Sequence, residues 1–450
     1  MTKFKSKKLK SGFGLTRLIS VFSLLITSFI SPITNAVVIG EEVSGPVTLT
    51  ASAGYISVAD GGSIYSWGYS TGGTMQLPGP TLIVNEGDEV SITLVNSLPT
   101  AAGNVSIVFP GHKMSSISGG VAGDLTKEAP IGGSVTYTFT ANNPGTYQYH
   151  SGTRPDLQVE MGLYGALIVR PTSSANCAYN NTNTCYDREN LFLLSEIDLQ
   201  IHQAAELQAS GAGPIELPQG AYVSEYWLIN GRAAPDTMAS SGTEILPTQP
   251  YNAMARMHPG EKLLMRVIGA GRESHPFHFH GNHAQVLARD GRLLLSATDS
   301  SQLAGPLLFT IPAAPGSTTD AIFEWTGKDL GWDIYGHQDS GATTCTPDAD
   351  GYHNVASDPN YKEWCADHNK PIPVTLPALS SLAFGGFYSG SPFLGALGAL
   401  PPGEGGLNPD AGFSYMWHSH TEREMVNNDV FPGGMMTMLI IEAPNVVITD

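Results

Sequence analysis

Thirteen histidines stand in this 450-residue chain, and seven of them fall in three places: His150; His275, His278, His280 and His283; and His418 with His420. Alternate residues of a β-strand point to one face, so His278-Phe279-His280 projects two imidazoles one way and Phe279 the other. His418-Ser419-His420 repeats the arrangement. Two such pairs meeting would surround a cation with nitrogen donors, and neutral imidazole suits copper, zinc, iron or nickel. A lone His-x-His is as readily two strand-end histidines bonded to backbone or water. The run His275-Pro276-Phe277-His278-Phe279-His280-Gly281 together with a second His-x-His favours a metal site. The isolated His112, His202, His258, His337, His353 and His368 read as structural, with His112 kept beside His275 and His283 as an additional candidate ligand.

The elements that must position these side chains are strands. Residues 81–84, the turn Asn85-Glu86-Gly87-Asp88 and the alternating stretch 89–95 predict strand, turn, strand. Residues 134–139, 145–150 and 163–169 continue in the same style and close a sandwich over 37–171. A polar linker at 172–190 leads to a second sandwich over 191–450, opened by 191–194 and 226–229 and ended by 435–441. Each His-x-His follows an apolar or aromatic stretch, 265–268 in one case and 413–417 in the other, expected to be the strands that deliver it. Between 327 and 412 lies an insertion whose length suits a lid, a partner surface or a disordered tract. Gly (51) and Pro (31) exceed their average usage of about 7% and about 5%, which favours many short strands joined by turns. The fold class expected is all-β.

Residues 1–36 read as a cleavable secretory signal: Lys3, Lys5, Lys7, Lys8, Lys10 and Arg17 precede an apolar run over 18–33 and a small-residue stretch ending at Ala36. A soluble periplasmic or extracellular protein is expected after cleavage. The formal net charge of −18 becomes more negative when that basic segment is removed, which argues against a nucleic-acid partner. Four cysteines in an oxidising compartment fall as two local pairs, Cys177 with Cys185 and Cys345 with Cys365, and two loop-closing disulfides are expected.

Leu77-Pro78-Gly79-Pro80-Thr81, Gly145-Thr146-Tyr147-Gln148-Tyr149-His150-Ser151, Leu228-Ile229-Asn230-Gly231, the 275–281 run and Trp417-His418-Ser419-His420 carry a resemblance. The chain resembles the multicopper oxidases, the family of laccases, and most closely the two-domain small laccases. The resemblance covers most of the chain after residue 36 apart from the linker and the insertion. It implies two cupredoxin-like Greek-key β-sandwich domains, the second with a long loop insertion.

The departures from the family pattern are as informative. Where the family has His-Cys-His, whose cysteine binds the type 1 copper, this chain has Ser419, and a hydroxyl supplies no soft thiolate. The family's second type 1 histidine falls at Glu424, which strands His275 and the axial candidates Met435 and Met436; the methionines read as core. The family's first His-x-His aligns with Val108-Phe109-Pro110 and its second with His150-Ser151-Gly152, so three of the eight histidines around its three-copper cluster are missing. The ligands that remain by resemblance are His278 at the type 2 position and His150, His280, His418 and His420 around the type 3 pair. One or two copper ions are implied, with zinc left open.

Three functions follow as expectations. The first is a copper-dependent oxidoreductase binding a small-molecule or metal-ion substrate directly at an open site, with Glu422, Arg423 and Glu424 as nearby proton donors or ordinary surface charges. The second is an envelope copper-binding protein without turnover. The third is a metal-free structural or surface scaffold. The resemblance also implies a homotrimer.

Overall fold

The computed structural model describes residues 38–326 apart from Ala175 and Ala212, short stretches between 346 and 365, and residues 391–393, 412–442 and 446–448. The expected signal segment, His337, His368, Cys345 and most of 327–412 lie outside the described residues. What is described is built from β-sheets, with one α-helix longer than a single turn, Leu199–Gln208.

The first sandwich packs a five-stranded sheet, in the order Ser63–Ser70, Val47–Ser57, Glu89–Asn96, Ser134–Thr140 and Met114–Gly119, on a four-stranded one. Glu89–Asn96 alternates, burying Val90, Ile92 and Leu94, because one of its faces meets the core and the other does not. The turn ahead of it holds Gly87 at φ +89°, and the Asp88 carboxylate accepts from the Asn85 backbone N–H at 2.9 Å. The four-stranded sheet runs Glu41–Glu42, Leu82–Asn85, Tyr164–Arg170, Gly145–His150. Tyr164–Arg170 is apolar almost throughout because both its faces are covered. Leu167 and Val169 join the first core, while Tyr164 and Ala166 pack into a cluster with Leu191, Leu193, Ile197 and Leu228 of the second sandwich.

The second sandwich has a sheet ordered Tyr226–Ile229, Arg188–Ile197, Lys262–Gly269, Thr318–Glu324, Ala284–Arg289, Arg292–Leu293. It faces a sheet ordered Ala255–Met257, Met436–Ile441, Gly412–Ser419, His275–Phe279, Thr310–Ala313. Phe192, Met265, Phe277, Phe279, Phe323 and Trp417 fill the space between them, with the Trp417 ring 5.2 Å from Phe323 and 5.7 Å from Phe279. The two sandwiches also share a buried ionic network. Arg266 Nε donates to Glu189 at 3.0 Å and Arg170 to the same carboxylate at 2.6 Å, while Arg266 Nη1 donates to Thr146 of the first sandwich at 2.9 Å.

One sequence expectation is corrected here. Lys262–Gly269, which contains 265–268, lies in the sheet opposite the histidines and does not deliver the first His-x-His. The chain crosses between sheets at Gly269–Gly271, where a Cβ on Gly269 would overlap the Ala314 carbonyl, and His275–Phe279 forms its own strand. In the linker, Cys177 and Cys185 form a disulfide.

Candidate metal centre

His275–Phe279 lies between Thr310–Ala313 and Gly412–Ser419, antiparallel to both. Its register sets Phe277 opposite Ser419, His278 opposite His418 and Phe279 opposite Trp417. Opposed residues of an antiparallel pair share a face. Phe277, Phe279 and Trp417 therefore turn into the core together, and His278 and His418 turn out of it together. His280 continues on the side of His278, its carbonyl held by the Trp417 indole N–H at 2.9 Å. The His420 backbone N–H donates to Pro276 O at 2.9 Å, which keeps the fourth histidine in line.

Four imidazoles converge as a result. Ring centroids lie 4.9 Å apart for His278 and His280, 4.8 Å for His278 and His420, 5.4 Å for His278 and His418, and 5.6 Å for His418 and His420. One ring nitrogen from each of His278, His280 and His418 falls within 4.8 Å of the others. His278 and His418 are buried, whereas the His420 side chain is 53% exposed and marks the open side.

The second ring nitrogens are tied down, which sets which nitrogen is free to ligate. His418 Nδ1–H donates to Ser419 O at 2.7 Å, His420 Nδ1 faces Glu422 at 3.1 Å, and His278 Nδ1 lies 2.8 Å from the Thr310 hydroxyl. Thr310 carries no motif, and its role was not legible in the sequence. Burial, reinforced by repulsion from the neighbouring imidazoles, pushes His278 down to about 4; burial also lowers His418. Both are uncharged at neutral pH, the form that ligates. Clustered neutral imidazoles with an open side fit copper, and equally zinc, iron or nickel, the cations that this donor chemistry suits.

The remaining candidates lie elsewhere. His150 ends the Gly145–His150 strand of the first sandwich, its backbone paired with Val108 and its Nδ1–H donating to Ser151 O at 3.0 Å; it is not a member of the three-histidine group. The His112 ring packs against Phe139 and Tyr147, and burial pushes it down to about 4. His283 is exposed, with its ring 5.0 Å from Phe309. His202 faces the carbonyls of Tyr65 and Glu160, His258 pairs with Glu261, and His353 with Asp358, all structural contacts.

His275, an additional candidate ligand, is corrected by its surroundings. The ring is fully buried, with Nε2 2.8 Å from Glu196 Oε2 and Nδ1 2.9 Å from Glu424 Oε2. Burial disfavours its charge, but the two carboxylates outweigh burial and raise it to about 9. It is an imidazolium donating from both nitrogens, with no lone pair left for a metal. Glu424 is likewise no surface charge, being 4% exposed. Glu422 and Arg423 are exposed, Arg423 lying over the Trp227 ring and 3.7 Å from Asp429. Met435 is in the core, and Met436 stands opposite His418 in the strand register.

Two facing-sheet sandwiches with a cluster of imidazoles at one sheet's outer face define a cupredoxin-like fold with a candidate metal site. The family model described as multicopper oxidase matches residues 66–174. A multicopper oxidase from Talaromyces pinophilus is 44% identical over 98 residues, 21% of this chain and 15% of that protein. Laccase-3 of Oryza sativa subsp. japonica is 29% identical over 252 residues, 55% of this chain and 39% of that protein. The chain thus spans less than half the length of these curated relatives. A blue copper oxidase from Nitrosomonas europaea shares the fold with a TM-score of 0.52 at 19% identity, covering 89% of this chain and 86% of that one. The multicopper oxidase mgLAC does so with a TM-score of 0.52 at 19% identity, covering 90% and 88%. Residues 66–174 thus match the multicopper oxidase model, about half of the chain is similar to laccases, and its fold is that of multicopper oxidases.

Proposed function

We propose that this is an exported copper protein whose metal is held by histidine alone, at His278, His280, His418 and His420, without a type 1 centre. The observation that carries the reading is the register that opposes His278 to His418 and gathers four imidazoles on one face. Copper bound there would supply one-electron redox chemistry at a site with an open side. The chain's own contribution is to hold neutral nitrogens on fixed strands and to keep the site's inner wall dry with Phe277, Phe279 and Trp417.

As an oxidoreductase, it would bind a small-molecule or metal-ion substrate directly at the open side near His420. A second reading, copper holding without turnover, is favoured by the residues at 275, 419 and 424. A serine stands where a thiolate would collect electrons, and both nitrogens of His275 are bonded to carboxylates. The resemblance to two-domain laccases, rather than any contact of this chain, is what puts forward a homotrimer in which His150 of the first sandwich meets a neighbour's cluster.

The test is metal analysis of the protein purified after export. One or two copper ions per chain are expected, together with loss of most bound copper in His280→Ala/His418→Ala. Unchanged stoichiometry in that variant, or zinc in place of copper, would overturn the reading. Oxygen consumption on addition of a reductant separates turnover from storage, and sedimentation of the copper-loaded protein tests the trimer.

A further inference from the structure

The two strands that carry the imidazoles are joined a second time on their core side. His275 opens the strand that bears His278, and Glu424 lies in the short turn Glu422–Met425 that follows His420. Since Phe277 is opposite Ser419, the chain positions before Phe277 run alongside those after Ser419. There His275 Nδ1 meets Glu424 at 2.9 Å. The other nitrogen, at 2.8 Å from Glu196, ties the same ring to the end of Arg188–Ile197 in the facing sheet.

We infer that Glu196, His275 and Glu424 form an ionic clamp that positions the histidine cluster, a role that rests on the copper reading above. Three features make this a built device. Its members are buried, with side-chain exposures of 0%, 0% and 6%, so each charge depends on the others for compensation. Glu196 is itself fixed: its Oε1 accepts from the Glu273 N–H at 3.0 Å, the Arg272 N–H and the Tyr222 hydroxyl, and a Cβ on Gly271 would overlap its carboxylate. The Glu424 backbone is pinned at both ends, its N–H donating to Thr421 O at 2.8 Å and its carbonyl accepting from Met435 at 2.7 Å.

The other charged groups around the clamp act through Glu196. Arg272 pairs with Glu160 at 3.2 Å, and the Glu273 carboxylate accepts from Ser224 at 2.8 Å. The clamp therefore locks one strand to the turn after the other, three residues before His278 and four after His420, while the imidazoles occupy the opposite face. Releasing it frees the ends of both ligand pairs to shift relative to each other. Groups that hold metal ligands in place typically account for about 10–100-fold in metal affinity.

The experiment compares copper affinity, by competition with a chelator, and the copper electron paramagnetic resonance spectrum in wild type, Glu424→Ala and Glu424→Gln. Leu193→Ala, in the cluster between the sandwiches, controls for lost stability alone. Expected are unchanged stoichiometry, affinity weakened about 10–100-fold in Glu424→Ala with altered hyperfine splitting, a smaller loss in Glu424→Gln, and wild-type values in Leu193→Ala. Glu424→Gln keeps the shape and one hydrogen bond, so it carries the test should the alanine variant not fold. Wild-type affinity and spectrum in the folded Glu424 variants would overturn the clamp alone. Absence of copper binding by the wild type would overturn the copper reading, and the clamp with it.

Discussion

At the scale of single residues, the alternation of strand faces separates two chemistries that lie next to each other in sequence. His418 faces outward among imidazoles, whereas Ser419 is fully buried and its hydroxyl accepts from the Thr421 N–H at 3.2 Å. A thiolate at 419 would find no copper partner nearby, since His275 gives both its nitrogens to carboxylates. Ser419→Cys alone is therefore expected to show no intense blue absorption with copper. Ser419→Cys/Glu424→His releases His275 Nδ1 and adds an imidazole, and the blue band is expected in this double variant. Visible spectra of the two copper-loaded variants decide the matter; a blue single variant would mean that the ionic clamp does not hold His275.

At the scale of elements, the His275 imidazolium holds the His275–Phe279 strand to the Glu422–Met425 turn and to the opposite sheet. Its folded value, about 9, lies above the ordinary histidine value of 6.5. A group raised in this way stabilises fully below its unfolded pKa and loses that contribution as pH rises through the folded one. The contribution is about 3 kcal/mol. The thermal midpoint of the metal-free protein should fall progressively between about pH 6.5 and about pH 9, and that decline should be smaller in His275→Gln, the remainder coming from Glu160, which burial raises to about 8, and from His258, which Glu261 raises against burial. Calorimetry of both proteins across that range measures it, and an equal decline in His275→Gln and the wild type would show that His275 is neutral. The strands themselves were largely legible. Gly145–His150 and Tyr226–Ile229 coincide with their sequence expectations, and Glu89–Asn96 extends its own by one residue. The Leu199–Gln208 helix was not anticipated; its hydrophobic pattern is weak, and it is placed by Asp198 capping the Gln200 N–H and by His202 against Tyr65.

At the scale of the whole molecule, the second sandwich is joined to the first by apolar packing and by buried charge. Glu189 is fully enclosed between Arg170 of one sandwich and Arg266 of the other, and the guanidiniums hold its carboxyl below the ordinary range despite burial. Glu189→Gln removes the only carboxylate paired with Arg170 among the described residues and the nearer of the two partners of Arg266, which keeps Asp320 at 3.7 Å; breaking a buried pair in this way costs up to roughly 3–5 kcal/mol. Denaturant unfolding of the metal-free protein should show that loss as a lower midpoint. A change within experimental error would mean that the two guanidiniums find other compensation.

Sequence by itself determined the composition of the site and the class of the scaffold. Spacing of two in a strand commits His278 with His280, and His418 with His420, to common faces wherever those strands lie, and the apolar alternation commits the chain to sandwiches. Which strands became neighbours was decided only by the tertiary structure, because pairing depends on contacts between residues about 140 positions apart, as with His278 and His418. The same holds for His275. Nothing local distinguishes it from the clustered imidazoles three and five residues on; it becomes an ion because Glu196 and Glu424 reach it through the core, where burial makes an unpaired charge costly and a paired one persistent.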